Sequence, residues 1–192
     1  LAEEEQVQLV LLSGDLLDSS TSYYETQEAL VRAFSMISAE IFIAPGNHDY
    51  YCPKSPYAYV PFPPNVHIFK SPQISCVTLE PLGCRIWGAG FNDQYSRPLL
   101  PGFTVPDNEF IDLMVLHGDL GGDDYNHIQL ADIKASGLDY LALGHIHSFS
   151  GFKTAGKTQY AYPGCPEGRG FDETGEKGLI TGTIDKTGCQ IL

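Results

Sequence analysis

The sequence lacks long hydrophobic runs and has few basic residues. A helix that crosses a bilayer needs about 20 consecutive apolar residues. No apolar run here approaches that length, so we expect no membrane partner. The chain has 24 Asp and Glu but only 11 Lys and Arg, which gives a formal net charge of −13. This balance disfavours tight nonspecific binding to nucleic acid, although bound metal would neutralise some of the carboxylates.

The sequence also lacks closely spaced cysteine pairs, and its first residues do not resemble a signal peptide. Its five cysteines are an odd number without close CxxC spacing. That pattern argues against a disulfide framework or a zinc finger and predicts reduced thiols in the cytoplasm. The first residues, "LAEEEQ", have neither the charge nor the apolar core of a signal peptide. They include no methionine, so we interpret the chain as a piece of a longer protein.

The chain is long enough for one domain over residues 1–192, because 43% of it is hydrophobic. Near-continuous apolar runs predict buried strands and helical periodicity predicts helices. The first strand, helix and strand imply a parallel pair with a right-handed crossover. The predicted strands span residues 7–15, 40–46, 110–119 and 138–147, and the predicted helices span residues 22–38 and 126–137.

The middle and the end of the chain have a different pattern. Residues 51–65 are rich in proline and aromatic residues, which predicts an irregular surface loop. Short runs such as "VHIF", "ISCVTLEP", "CRIWGAGF", "QYAYPG", "GLITGTID" and "CQIL" predict antiparallel strands separated by turns. We therefore predict an α/β fold with two mixed β-sheets packed as a sandwich and flanked by helices.

Four of the predicted strands end in polar turns of a similar kind, "LLSGD", "IAPGNHD", "MVLHGD" and "LALGHIH". In open α/β sheets, ligands bind beyond the carboxyl ends of parallel strands. Glycine in these turns lets backbone segments pack closely and leaves space for ions and substrate. The turns are therefore predicted to bring six polar side chains to one crevice: Asp15, Asn47, His48, His117, His145 and His147.

The side-chain types in this set favour a transition-metal site. Carboxylate, amide carbonyl and imidazole ligands together suit manganese, iron or zinc, whereas a set of thiolates indicates structural zinc. A carboxylate has two oxygens and can bridge two ions. His145 and His147 are two residues apart in an extended segment, so their side chains are expected to serve different ions. A "GD" turn alone is common and "GHIH" alone is moderately specific, but all four turns in this order favour a metal site over unrelated loops.

The motifs "GDLLD", "GNHD", "LHGD" and "GHIH" resemble the ordered motifs of the calcineurin-like metallophosphoesterases. The resemblance implies a four-layer fold and a centre with two divalent ions, most often manganese, with iron or zinc as alternatives. It implies that Asp15 bridges both ions. Asn47, His117 and His145 would complete one site, and His147 would belong to the other.

The same resemblance implies roles for two more residues. His48 would be the general acid or the residue that steadies the transition state. Asp18, from "GDLLD", would orient the imidazole of His48. Apart from the resemblance, Arg169 is a candidate for stabilising the charge of the transition state, with a solvated loop residue as an equally weighted alternative.

One family motif is missing from the chain. The family begins with an Asp-x-His motif on its first strand, which supplies two ligands to the site of His147. Residues 1–14 contain neither Asp nor His. We therefore expect one metal site to be incomplete in this chain. Truncation of the N-terminal strand is the natural explanation and genuine loss of the motif is the alternative, and an Asp-x-His motif upstream of Leu1 would restore the enzyme. Activity of the fragment alone is then in doubt.

The segment 162–178, "YPGCPEGRGFDETGEKG", resembles the corresponding part of SbcD-type DNA repair exonucleases. The implied substrate is DNA, the implied partner is an ATPase of the SbcC type, and a capping, DNA-binding region is expected beyond residue 192. Two other functions stay open: a phosphodiesterase or phosphatase acting on small nucleotides or phosphoproteins, and a catalytically inactive scaffold. Homo-oligomers also stay open.

Overall fold

A computed structural model describes residues 1–107, 109–122, 124–168, 170–171 and 173–191. Residue 191 is described without its side chain. Arg169, for which a role in charge stabilisation was predicted, lies outside these residues. The helices are α1 Tyr24–Ser35, α2 Pro56–Tyr59 and α3 Leu130–Ser136. The strands are β1 Leu9–Leu12, β2 Glu40–Ile43, β3 Val66–Ile68, β4 Ser75–Leu79, β5 Cys84–Gly88, β6 Ile111–His117, β7 Tyr140–Gly144, β8 Lys153–Ala155, β9 Thr158–Ala161, β10 Gly182–Asp185 and β11 Gly188–Ile191.

The strands of the described residues form two main sheets and a hairpin. The first sheet has the order β1-β2-β3, and both of its pairings are parallel. The second sheet is mixed, with the order β4-β5-β6-β7-β9-β8. Strands β10 and β11 form an antiparallel hairpin. The predicted parallel pair β1–β2 is present, with α1 as its crossover.

Successive side chains of a strand point to opposite faces of its sheet. Each of the two sheets thereby presents apolar side chains to the other, and the sheets pack face to face. On β6, Leu113 and Val115 face the first sheet, where they share a core with Phe42 of β2. Met114 and Leu116 of β6 face the other way, into the core that includes Ile133 of α3. On the outer face of the first sheet, residues of β2 pack with residues of α1 and α2. The layers are therefore helix, sheet, sheet and helix, which confirms the predicted α/β fold.

Several local predictions were wrong. The segment 51–65 contains α2, which begins after Ser55, whose hydroxyl accepts a hydrogen bond from the Tyr57 backbone N–H. Three pairings of the short strands are parallel: β3 with β2, β5 with β6 and β9 with β7. The predicted antiparallel pairing holds for β4–β5 and β10–β11. Pairing direction depends on which strands meet in the folded chain, and a short apolar run carries no information about that.

The helix predicted at 126–137 begins only at Leu130. Asn126 lies before it in the left-handed region, with a φ of 53°, and is fully buried. Its side-chain amide donates to the carbonyl of His117 and accepts from the N–H of Leu99. Gly137 ends the helix with a φ of 66°, as predicted. In the described ranges, every helix is too short or too polar to span a bilayer.

Candidate metal centre

Four of the predicted ligands meet where β1 and β2 of the first sheet end beside β6 and β7 of the second. Asn47 Oδ1 lies 2.8 Å from His117 Nε2 and 3.2 Å from His145 Nδ1. The two imidazole nitrogens are 3.2 Å apart. Asp15 Oδ2 lies 3.4 Å from His117 Nε2. The fold thus brings Asp15, Asn47, His117 and His145 together from positions up to 130 residues apart in the chain.

The hydrogen bonds of His117 indicate that a cation fits this group. Nδ1 of His117 donates its proton to the carbonyl of Ser13 at 2.8 Å. Nε2 is then unprotonated, and its lone pair points towards the oxygens of Asn47 and Asp15. Electron-rich atoms this close repel each other unless a positive ion lies between them. An imidazole fixed by a backbone carbonyl on its far nitrogen is the usual arrangement of a metal ligand.

Burial favours the neutral form of the His117 and His145 imidazoles. Burial lowers the pKa of His117, and the nearby Asp15 carboxylate opposes this only in part. Burial also lowers the pKa of His145, and the neighbouring His117 lowers it further. Neutral imidazole is the form that binds metal. At neutral pH the centre therefore presents two neutral nitrogens, an amide oxygen and one carboxylate.

The backbone at the centre is strained. Asp15 has a φ of 54° and His145 a φ of 109°, values that residues with a side chain rarely adopt. Such conformations cost about 1–3 kcal/mol each and cluster at functional sites. Glycine is required at position 46, because a Cβ there would lie 2.4 Å from Asp15 Oδ1 and 2.7 Å from His117 Nδ1. The predicted role of glycine in close backbone packing applies here.

Gly46→Ala is expected to weaken metal binding by about 10–100-fold, the range typical when a group that orients metal ligands is lost. The added methyl must displace the carboxylate of Asp15. Isothermal titration calorimetry with Mn²⁺ measures the change. Gly178→Ala is the matched control, since a Cβ there meets nothing within 4 Å. Equal affinities in the two variants would contradict the packing argument.

Asp49 positions the loops that carry the ligands, a role that the sequence interpretation did not assign to it. The side chain is buried and accepts hydrogen bonds from the backbone N–H groups of Gly46 at 2.7 Å, Leu16 at 2.9 Å and Asp15 at 3.1 Å. Tyr57 donates its hydroxyl at 2.6 Å. Burial raises the pKa of Asp49, and the hydrogen bond from Tyr57 opposes this rise. Asp49 therefore joins the turn after β1 to the turn after β2.

His48 lies at the edge of the centre with an exposed side chain. Its backbone N–H donates to Asp15 Oδ1 at 2.9 Å, so the same carboxylate contacts the ligand group and fixes the His48 backbone. Asp18 is exposed in the turn after β1. Its action on the imidazole of His48 stays a prediction.

His147 lies in a different cluster from the other histidines of the motifs. Its side chain is 55% exposed, and Nδ1 pairs with the carboxylate of Glu173. The thiol of Cys165 completes this cluster. The ligand atoms of Asp15, His117 and His145 form a separate group whose members lie within 4.8 Å of each other.

Residues 1–149 match the family model described as calcineurin-like phosphoesterase. The chain belongs to this family. It is also 32% identical over 189 residues to a Bacillus subtilis (strain 168) protein named "Uncharacterized metallophosphoesterase YhaO". That match covers 92% of the chain and 45% of the relative, so the chain spans less than half of the length of the relative.

Membership confirms the predicted superfamily of calcineurin-like phosphoesterases. The ligand group of Asp15, His117 and His145 is a candidate for the divalent metal that such enzymes use. The SbcD-type resemblance stays a prediction.

Proposed function

We propose that this calcineurin-like phosphoesterase chain is the core of a metal-dependent nuclease of the SbcD type that hydrolyses DNA phosphodiesters in repair. The observation that carries the proposal is the convergence of Asp15, Asn47, His117 and His145 beside an exposed His48. In this proposal the DNA-binding region and an ATPase partner of the SbcC type lie outside residues 1–192. The relative, more than twice as long as the chain, leaves room for such a region.

The residues of the centre suit two divalent ions, with manganese as the proposed metal. Bound ions of this kind polarise the phosphoryl oxygen, lower the pKa of water and neutralise charge. Asp15 Oδ2 lies beside His117 Nε2 and Oδ1 accepts from the His48 backbone N–H, and this carboxylate is proposed to contact both ions. Asn47, His117 and His145 would hold one ion and His147 the other. The chain as given would hold the first ion more completely than the second.

His48 is proposed to protonate the leaving oxygen. When water adds to phosphorus, the bond from phosphorus to the sugar oxygen breaks, and that oxygen needs a proton. An exposed imidazole at the edge of the centre can supply it, and Asp15 holds the backbone of His48 in place. Asp18 would keep the ring oriented.

Aromatic rings beside the centre support a nucleotide substrate. The ring of Tyr125 packs on His145 with centroids 4.9 Å apart, and Tyr95 stacks on Tyr125 at 5.6 Å. Tyr95 is 57% exposed. Stacking of a base on an aromatic side chain contributes about 1–3 kcal/mol. These rings therefore favour a substrate that carries a base over a phosphoprotein.

The same rings would also suit a phosphodiesterase acting on small nucleotides, which needs no basic groove. The test is a manganese-dependent assay of the intact, longer protein on single-stranded DNA, a cyclic nucleotide and a phosphopeptide. Cleavage of DNA with little turnover of the others supports the nuclease. Preference for the cyclic nucleotide or the phosphopeptide would reject it. An absence of turnover on all three substrates would favour the remaining alternative, a catalytically inactive scaffold.

His48→Ala in the intact protein is expected to lower turnover by at least about 100-fold, the lower end of the range for general acid catalysis. Metal content should stay nearly unchanged, because the backbone N–H of His48, not its ring, contacts Asp15. Steady-state kinetics and inductively coupled plasma mass spectrometry measure the two quantities. His67→Ala is the control, since His67 pairs with Glu40 on the first sheet. Full activity of His48→Ala would reject the acid role.

A further inference from the structure

A cavity of about 380 Å³ lies near the metal centre. Tyr125 connects the cavity to the centre, because its ring stacks on Tyr95 at 5.6 Å and packs on His145 at 4.9 Å between centroids. A ligand in the cavity is therefore two stacked rings away from the ligand group of the metal. The residues that line the cavity are Tyr95, Ser96, Arg97, Pro98 and Asp124.

Backbone hydrogen bonds join the two segments that form the cavity. The N–H of Ser96 donates to the carbonyl of Asp124 at 3.2 Å, and the N–H of Asn126 donates to the carbonyl of Ser96 at 2.9 Å. The buried amide of Asn126 accepts from the N–H of Leu99 at 2.7 Å and donates to the carbonyl of His117 at 2.8 Å. The cavity is thus held in a fixed position relative to the metal ligand His117.

The cavity combines an aromatic face with two opposite charges. Tyr125 covers one face of the Tyr95 ring, which is still 57% exposed, so a second ring can stack on it. Arg97 and Asp124 are exposed, and within the described part of the chain neither forms a salt bridge. The guanidinium and the carboxylate can therefore each bind a polar group of a planar ligand.

Guanine is the DNA base whose edges match these groups. Its pairing edge carries two adjacent donors, N1–H and the N2 amino group, which suit the two oxygens of one carboxylate. Its O6 and N7 are acceptors that an arginine fork contacts in parallel. Adenine and cytosine would turn the lone pair of a ring nitrogen towards the carboxylate, and thymine offers a single donor between two carbonyl oxygens. These contacts are repulsive or incomplete.

We propose that this cavity binds a guanine base of the substrate close to the phosphate that is cleaved. Asp124 accepts from N1–H and the N2 amino group, Arg97 donates to O6 and N7, and the base stacks on Tyr95. Stacking alone tolerates every base, so the two charged side chains supply the preference. The proposal rests on the proposed function in taking a nucleotide as the substrate, and it adds a preference for one base.

Isothermal titration calorimetry of the metal-loaded intact protein with dGMP, dAMP, dCMP and dTMP tests the proposal. These probes differ only in the base, so differences in Kd report base recognition. We expect dGMP to bind at least about tenfold more tightly than dAMP, which one good bidentate pair allows. Asp124→Asn should remove most of this preference, because its amide turns one acceptor into a donor that faces the guanine N–H groups. Asp93→Asn is the matched control, since Asp93 is exposed in the same loop as Arg97 but does not line the cavity.

Arg97→Lys separates base recognition from charge. Lysine keeps the positive charge but cannot make the bidentate contact, so the affinity for dGMP should fall while the affinity for dCMP changes little. Equal affinities for the four mononucleotides, or a dGMP preference that survives in Asp124→Asn, would overturn the proposal.

The guanine site and the proposed function fail separately. A dGMP preference in a protein that cleaves no DNA would reject the nuclease alone. DNA cleavage by a protein with equal affinities for the four mononucleotides would reject the guanine site alone. A dGMP preference combined with DNA cleavage that is equally fast beside guanine and adenine would assign the cavity to a free guanine nucleotide and overturn its place in substrate binding.

Discussion

Asp15→Ala is expected to abolish both metal binding at the histidine centre and phosphodiester hydrolysis. Asp15 is the only charged member of the group with Asn47, His117 and His145. Without it, neutral ligands alone must hold a divalent cation. The loss of affinity should exceed the roughly 10–100-fold typical of a lost outer-shell partner. Hydrolysis should then fall to background, because the proposed mechanism depends on the ions.

Asp15→Ala also removes the acceptor for the His48 backbone N–H, which lies 2.9 Å from Oδ1. Asp15→Asn is the matched control, since its amide oxygen can still accept that hydrogen bond while the negative charge is lost. Metal loss in both variants would assign the effect to charge. Inductively coupled plasma mass spectrometry counts the ions in each protein. If Asp15 bridges two ions, both should be depleted, and an unchanged metal stoichiometry would reject the bridging role.

The convergence of Asn47, His117 and His145 could be predicted from the sequence because one geometric rule governs it. Strands that run parallel place their carboxyl ends at one edge of a sheet. Each of the three residues lies at or shortly beyond the carboxyl end of a buried strand. The rule places Asn47 at the edge of the first sheet and His117 and His145 at the edge of the second, and the packing of the two sheets brings these edges together. The sequence therefore predicted the position of the centre, although the pairing directions of several short strands were wrong.

The supporting residues could not be predicted in this way. Asp49 stands next to His48 in the sequence, yet three of the backbone N–H groups that it accepts from belong to a loop more than 30 residues away. Cys165 and Glu173 meet His147 only because two turns pack on each other. Contacts of this kind depend on the tertiary arrangement, and residue type or spacing does not encode them.

Asn126 shows the same limit in a helix prediction. An Asn before an apolar helical pattern is a common N-cap, so residue 126 was expected near the start of the helix. In the fold it occupies the left-handed region, which Asn tolerates better than most residues. Its amide then links His117 to Leu99. The tertiary hydrogen bonds outweighed the local capping preference.

Asp49→Ala is expected to give the largest loss of stability among single substitutions at the centre. The carboxylate accepts hydrogen bonds from four backbone N–H groups and from the hydroxyl of Tyr57. Each buried donor left without a partner costs about 1–3 kcal/mol, so we expect the free energy of unfolding to fall by at least about 4 kcal/mol. For a domain of this size, that corresponds to a melting temperature lower by roughly 8–16 °C.

Two further variants separate the contributions to this effect. Tyr57→Phe removes a single hydrogen bond to Asp49 and should cost about 2 kcal/mol. Asp49→Asn keeps the volume but turns one acceptor oxygen into a donor that faces backbone N–H groups, so its cost should lie between those of the other two. Thermal unfolding followed by circular dichroism gives the three values. If Asp49→Ala were no more destabilising than Tyr57→Phe, the backbone N–H groups would be satisfied by water, and Asp49 would not be what joins the two ligand loops.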